Sequence, residues 1–403
     1  MSTAGALAGI RVVELGFWVA GPAAAGIMAD WGAEVVKIEP PTGDPMRGLF
    51  SVAAGIDVPI NPPFELDNRG KRSLALNLFH ADGRAVALAL IDRADVLVSN
   101  LRLSALGRAG LDYETVRARN PRLVYCSISG YGPVGPDADR AAYDIGAFWS
   151  RAGVAASLMP EGADPPQQRG GMGDHTTAIA AVSAVCAALV ARQRTGEGQF
   201  VSTSLLRIGA YMLGWDVNTR LRFGRVEAPY DRTRIPNPLV NCYRSADGRW
   251  FWLLGLQGDR HWPDLVRALE RPELLHDARF DSMRLRRENQ QACVAELDAC
   301  FNRQPMAHWA AALDGAGMWW APVQTVGELI DDPQARAGGA FVPTEVSEGV
   351  AEMVAAPADF SATPGPLPAS MAPEFGQHTE EILLELGYDW EQIAALRDAG
   401  AIA

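Results

Sequence analysis

Lysine is nearly missing from this 403-residue chain: Lys37 and Lys71 are the only two, so almost every cation is an arginine. With abundant Ala and Gly, this has the mark of GC-rich coding sequence and carries no functional meaning. Cysteine is sparse too. Cys126, Cys186, Cys242, Cys293 and Cys300 are scattered with no CxxC pair, which argues against zinc sites and disulfide frameworks. Cys293 and Cys300 share a helical face at i, i+7 and read as core. The six histidines show no ligand spacing, so no metal is expected. No apolar run reads as long enough to span a bilayer, and Met1 to Ala8 lacks the basic region and apolar core of a secretory signal. The expectation is a cytoplasmic protein without a membrane partner. The net charge of −12 argues against nucleic acid. It leaves room for an anionic small ligand held by local cations or helix N-termini.

What is present is a soluble globular composition, 48% hydrophobic and 21% charged, in a chain long enough for two domains. Strand and helix patterns alternate over the first 200 residues. Ile10 to Leu15, Glu34 to Glu39, Asp95 to Val98, Arg122 to Ser127 and Gln199 to Ser202 read as strands. Ala20 to Trp31, Gly83 to Ala94, Tyr113 to Arg119 and Asp174 to Arg194 read as helices. Such alternation predicts an α/β fold, a large Rossmann-like domain with a parallel sheet. After Ile235-Pro236-Asn237-Pro238 comes a hairpin, Val240 to Tyr243 and Arg249 to Leu254. Helical patterns follow at Asp264 to Glu270, Arg286 to Asn302 and Met306 to Leu313, giving a smaller α+β domain. Pro364 to Pro368 reads as an extended linker before two short helices, Thr379 to Leu386 and Trp390 to Asp398. The boundaries read 1–224 for the large domain, 225–330 for the small one and 331–403 for a segment returning to the large one.

The segment most informative about chemistry is Arg169-Gly170-Gly171-Met172-Gly173-Asp174-His175. Glycines without side chains open a path to one carboxylate, and a helix N-terminus favours its ionised form. Asp174 also fits a plain N-cap, and the two roles are compatible. His175 is a weaker candidate base, or a packing residue in the first turn. Gly16-x4-Gly21-Pro22 falls on a strand-to-helix turn, but its spacing is not GxGxxG and Pro22 lacks an N–H, so no NAD is expected. The cations Arg69, Lys71 and Arg72 fit either phosphate contacts or a solvated turn. Asn100, Leu101 and Arg108 follow a strand end, where ligands bind in such sheets.

These residues, taken together, resemble the family III CoA-transferases of the CaiB/BaiF type, the group of formyl-CoA, carnitine-CoA and bile-acid-CoA transferases. The matching pieces are Leu7 to Glu14, Ala20-Gly21-Pro22, Gly32 to Glu39, Gly43-Asp44-x-x-Arg47-Gly48, Asn68 to Leu76, Val96 to Arg108, Ser129-Gly130-Tyr131-Gly132, Tyr143-Asp144, Gly173 to Thr177, Arg194 to Gln199 and Gly376 to Leu383. The resemblance implies a homodimer of two chains interlocked as rings. It implies transfer of CoA from an acyl-CoA donor to a carboxylic acid acceptor through a covalent aspartyl intermediate on Asp174, with Gly171, Gly173, Tyr143 and Val19 in support. It places coenzyme A near Ala20, Leu76, Asn100, Leu101 and Arg108, and the cations Lys71 and Arg72 are read as further candidates for its phosphates. A basic residue expected after Glu39 is Pro40 here; a lysine expected near position 141 is Ala141, with Arg140 adjacent. The formyl-CoA enzyme's active-site glutamine aligns with Val19 and its substrate-covering tryptophan with Leu49. Phe17, Trp18, Val19 and Leu49 therefore suggest an apolar acyl site. Two alternatives stand beside transfer. A related α-methylacyl-CoA racemase would carry His where Tyr143 precedes Asp144, and a silent CoA-binding protein would not need Asp174.

Overall fold

Six short apolar segments run parallel because a returning connection follows each one. They are β1 (Arg11–Leu15), β2 (Glu34–Glu39), β3 (Lys71–Ala75), β4 (Val96–Ser99), β5 (Val124–Ser129) and β6 (Phe200–Ser204), hydrogen-bonded in the order β3-β2-β1-β4-β5-β6. This is the doubly wound order, with its topological switch between β1 and β4. The computed structural model describes residues 5–49, 55, 61–160, 162–224, 231–347, 349–366 and 369–403.

Alternation along the strands feeds two cores. Val13, Leu15, Val36, Ile38, Leu74 and Leu97 face one side. Val12, Val35, Val96, Val98 and Cys126 face the other. The second side is covered by α1 (Ala20–Asp30), whose C-terminal half packs on α2 (Pro62–Asn68), and by the long helix Met172–Thr195. The first side is covered by α3 (Ala81–Asp92). We call Met172–Thr195 α4. Ala23, Ala24, Ala178 and Ala181 present almost no side chain, so α1 and α4 lie close to the sheet and to each other. The apolar character of α4 corrects one reading of the sequence. With a mean hydropathy of 1.5 over an 18-residue window of its 24 residues, it is long and apolar enough to cross a membrane by composition. Ala178, Ala181, Val182, Val185, Ala188 and Leu189 instead pack into the core beside the sheet, Val190 is exposed, and the helix ends at Arg192 and Arg194.

The chain divides into two compact units. One comprises Met1–Ala156, Pro166–Val226 and Gly338–Ala403; the other Ser157–Pro165 and Glu227–Ala337. The small unit thus takes in 157–165, which the sequence reading assigned to the large one. It holds an antiparallel sheet, β7 (Val240–Arg244), β8 (Trp250–Leu254) and β9 (Trp320–Pro322), over a core of Tyr243, Phe251, Phe280, Phe301 and Trp309. The single helix expected from Arg286 to Asn302 is two, Met283–Glu288 and Gln290–Phe301, broken at Asn289, whose side-chain amide donates to the Leu285 carbonyl. The returning segment forms a hairpin not expected from the sequence, β10 (Phe341–Val346) with β11 (Gly349–Val354). It closes with α5 (Thr379–Leu386) and α6 (Trp390–Asp398), whose Ile382, Leu383, Ile393 and Leu396 enter the first core.

Candidate active site

One side chain joins the carboxyl ends of β1 and β4. Asn100 accepts from the Phe17 N–H (3.0 Å) and donates to the Phe17 carbonyl (2.7 Å), tying the end of β4 to the loop after β1. A Cβ on Gly16 or Gly21 would lie only 3.1 or 3.0 Å from that amide, which explains both glycines. Asn100, expected to contact CoA, therefore spends its amide on the protein. Trp18 adopts φ 65°, unusual for a bulky side chain, and its N–H is held by Asp44 Oδ1 at 3.1 Å. The Trp18 ring meets Tyr143 edge-on at 5.8 Å. Val19 approaches within 3.7 Å of the space a Cβ on Gly171 would take. Trp18 thus stands beside Tyr143, and Val19 beside Gly171.

Asp174 does not cap its helix. The cap is Gly171, in the left-handed region at φ 76°, and Asp174 stands in the first turn at the third helical position. Among the described residues, the Gly173 and Asp174 N–H groups donate to no carbonyl. They remain available to an oxyanion, as first-turn donors do. The glycines have different tasks. Around Gly170 the space is open. A Cβ on Gly173 would strike the Phe148 ring at 2.6 Å, and one on Gly171 would meet His175 Cε1 at 3.0 Å. Only Gly170 fits the role of unobstructed approach; the other two permit close packing.

The electrostatics also differ from expectation. Burial pushes the Asp174 carboxyl up to about 7, and the nearby charge of Asp144 adds to this, outweighing the attraction of His175. The helix N-terminus alone does not keep it ionised. Asp144 accepts from the Ile145 N–H (2.8 Å), where a π-helical segment, Ile145–Arg151, begins, and from Gln168 Nε2 (3.0 Å). His175 Nε2 lies 3.0 Å from Asp67 Oδ1 on α2. Burial lowers the His175 pKa, but the hydrogen bond and charge of Asp67 raise it further than burial lowers it. Gln168, Asp67 and this pairing were not found from the sequence. Only the short spacing from Asp67 to the Arg69-to-Arg72 cluster hinted that α2 belonged here.

That cluster is neither a phosphate cradle nor a solvated turn. The Lys71 ammonium is fully buried, donating to Glu14 (2.6 Å), the Pro22 carbonyl and Asn68. Burial lowers its pKa to about 8 against the pull of Glu14. Arg69 forks onto Asp30, and Arg72 bonds Glu381 and Glu385 on α5. Leu76 is buried in the core beside Ile402, and Ala20 is buried at the start of α1. Leu101 is half-buried, its N–H on Ser99. Arg108 is exposed at the end of the short helix Leu103–Arg108. Arg140 is exposed, 3.6 Å from Asp137. Exposed Arg169 stands beside open Gly170.

Comparison with known proteins gives the family. The model of CoA-transferase family III matches residues 7–379. The (R)-2-hydroxy-4-methylpentanoate CoA-transferase of Clostridioides difficile is 33% identical, over 98% of this chain and 99% of that protein. The cinnamoyl-CoA:phenyllactate CoA-transferase of Clostridium sporogenes is 30% identical, over 96% and 95%. The crystal structure of a CaiB/BaiF family protein from Brucella suis superposes with a TM-score of 0.82 at 31% identity, covering 95% of this chain and all of that one. The chain belongs to CoA-transferase family III, and it is a CoA-transferase whose class takes acyl-CoA as substrate.

Proposed function

We propose that this enzyme moves CoA from an acyl-CoA to a free carboxylic acid through covalent adducts on Asp174. The observation that carries the reading is Asp174 itself. Its side chain makes no hydrogen bond among the described residues and lies beside unspent first-turn N–H groups. The Asp174 carboxylate attacks the thioester carbonyl; the C–S bond breaks, leaving a mixed anhydride and CoA thiolate. The thiolate attacks the Asp174 carbonyl and releases the donor acid as its carboxylate, giving an aspartyl-CoA thioester. The acceptor carboxylate attacks that thioester, and the thiolate expelled then takes the acceptor acyl group, restoring Asp174. Every nucleophile is an anion, so no proton is consumed, and one exchange becomes several easier steps. The Gly173 and Asp174 N–H groups face the developing oxyanions.

The acyl site favours an apolar monocarboxylic acid, because Trp18, Val19 and Tyr143 form its wall. The two relatives named above act on 2-hydroxy acids with branched or aromatic side chains, and we extend that class to this chain. The phosphates of CoA are assigned to exposed arginines, Arg108 first, with Arg140 and Arg169. Lys71 and Arg72 are set aside because their charges are already paired. The partner is a second copy of the chain, with the interlocked form included in the proposal. It is supported by Tyr211, Trp215, Leu221 and Phe223, each more than three-quarters exposed on the consecutive helices Leu205–Met212 and Gly214–Phe223. Soluble monomers rarely leave such patches open. A cytoplasmic location fits Cys126, Cys186, Cys293 and Cys300, which form no disulfide.

The test is exchange of labelled CoA between acyl-CoA and a panel of acids, with hydroxylamine or borohydride trapping. The expected result is exchange with apolar 2-hydroxy acids and a trapped peptide carrying Asp174. Rapid α-deuterium uptake into a 2-methylacyl-CoA without acceptor would favour a racemase. A label on another carboxylate would refute the mechanism, and faster exchange with dicarboxylates would refute the substrate class alone.

A further inference from the structure

His175 has no step in the transfer chemistry, yet it is held on two sides. Its Nε2 meets Asp67 Oδ1 at 3.0 Å across 108 residues of chain, and the Asp67 side chain is only 3% exposed. Its other edge lies under Gly171, where a Cβ would come within 3.0 Å of Cε1 and 3.1 Å of Nδ1. The ring, its side chain 42% exposed, thus lies between a buried carboxylate and the left-handed residue that opens α4. Three acids, Asp67, Asp144 and Asp174, exert their charge on this imidazole. Behind Asp67 stand Lys71 and Glu14, of opposite sign and bonded to each other. Against Asp174 stand Asp144 and Asp67 as like charges, and His175 alone as an opposite one.

We propose that Asp67 and His175 form a fixed imidazolium–carboxylate pair that offsets the acidic groups around Asp174 and enlarges its ionised fraction, so that His175 is a positioning residue and not a general base. The inference rests on Asp174 being the nucleophile. Its physical reason is that carboxylates sharing a partly buried site cannot all stay charged unless a cation is fixed among them. Asp67 supplies the anchor: among the described residues this buried acid has no other cation at hydrogen-bond distance, burial raises its pKa while the bond and charge of His175 lower it, and the bond fixes which nitrogen faces away from Gly171. The same ring explains why position 171 must be glycine.

The test compares wild type, His175→Gln and Asp67→Asn as full-length enzymes. The glutamine retains a donor for Asp67 without the charge. The asparagine retains an acceptor for the ring without the anion. CoA exchange and the rate of Asp174 adduct trapping are followed from pH 5 to 9.5. In His175→Gln the acid limb should move up by about one pH unit, so that exchange at pH 6.5 falls roughly tenfold while the rate at pH 9 changes less than about threefold. KM for acyl-CoA should not move. Asp67→Asn should shift the limb in the same direction but less, because it also removes a like charge facing Asp174. Nitrogen NMR of ring-labelled histidine, with the His175 signal identified by its loss in His175→Gln, should show an imidazolium persisting above pH 7 in wild type and titrating lower in Asp67→Asn. An unshifted limb, or a loss equal at every pH, would overturn the proposal, as would a wild-type His175 that is neutral at pH 6. If His175→Gln does not fold, Asp67→Asn and the wild-type titration still decide it. Failure of the Asp174 reading would show differently, as a trapped label on another carboxylate.

Discussion

Replacing Glu14 with Gln should be among the most damaging single changes in the large unit. Glu14 lies on β1 with no exposed side-chain surface and accepts from both lysines of the chain, Lys37 at 2.7 Å and Lys71 at 2.6 Å. Lys37 would keep Asp44 at 2.8 Å and the Gly16 carbonyl. Lys71 would keep only two neutral acceptors, the Pro22 carbonyl and Asn68 Oδ1. The substitution therefore leaves one buried cation uncompensated, a loss of about 3–5 kcal/mol. That is a large share of the roughly 5–15 kcal/mol that stabilises a folded protein. Urea unfolding at pH 7, followed by tryptophan fluorescence, measures it. Adding Lys71→Met removes the stranded charge and should recover on the order of 2 kcal/mol. The pH dependence has a definite sign. The folded Lys71 pKa of about 8 lies below its ordinary 10.5. The folded state thus sheds its proton first, and the penalty of carrying the charge fades as pH rises through 8. The Glu14→Gln loss should accordingly be smaller at pH 9.5 than at pH 7. A loss under about 1 kcal/mol at pH 7, or no rescue by Lys71→Met, would refute this account.

Three further outcomes follow from the site. Asp174 is held up to about 7, above its ordinary 3.8. The folded state therefore binds the extra proton between these values, and stability from this group falls as pH rises through that window. Asp174→Asn should abolish exchange, a loss on the order of 10⁴-fold or more. It should also stabilise the fold by on the order of 1 kcal/mol at pH 8 with little gain at pH 4, as measured by thermal unfolding. Gly171→Ala places a methyl group against the His175 ring in a left-handed backbone. It should cost on the order of 1–3 kcal/mol of strain and lower exchange while acyl-CoA binding by calorimetry changes little. Arg108→Ala should raise KM for acyl-CoA by about 10- to 100-fold, and initial rates with CoA and dephospho-CoA thioesters would show whether the lost contact is to the 3′-phosphate.

The sequence by itself determined most of the elements and the family. Period and punctuation placed five of the six strands of the parallel sheet and the helices Ala20–Asp30 and Met172–Thr195. The Gly-rich turn before Asp174, with its ordered flanking motifs, pointed to the family. These are local signals, set by backbone freedom at glycine and by apolar alternation, and they survive without the fold. Tertiary structure alone decided how the charges are used. Lys71 meets Glu14 across 57 residues, His175 meets Asp67 across 108, and Asn100 closes on Phe17 across 83. No periodicity records such pairs, because a buried ion's partner is chosen by which strands and helices come together in space. A cation read one residue at a time looks the same on a surface turn and inside a core. Only the packed sheet, by removing water from Lys71 and Asp67, made one a structural strut and the other an anchor for the ring beside Asp174.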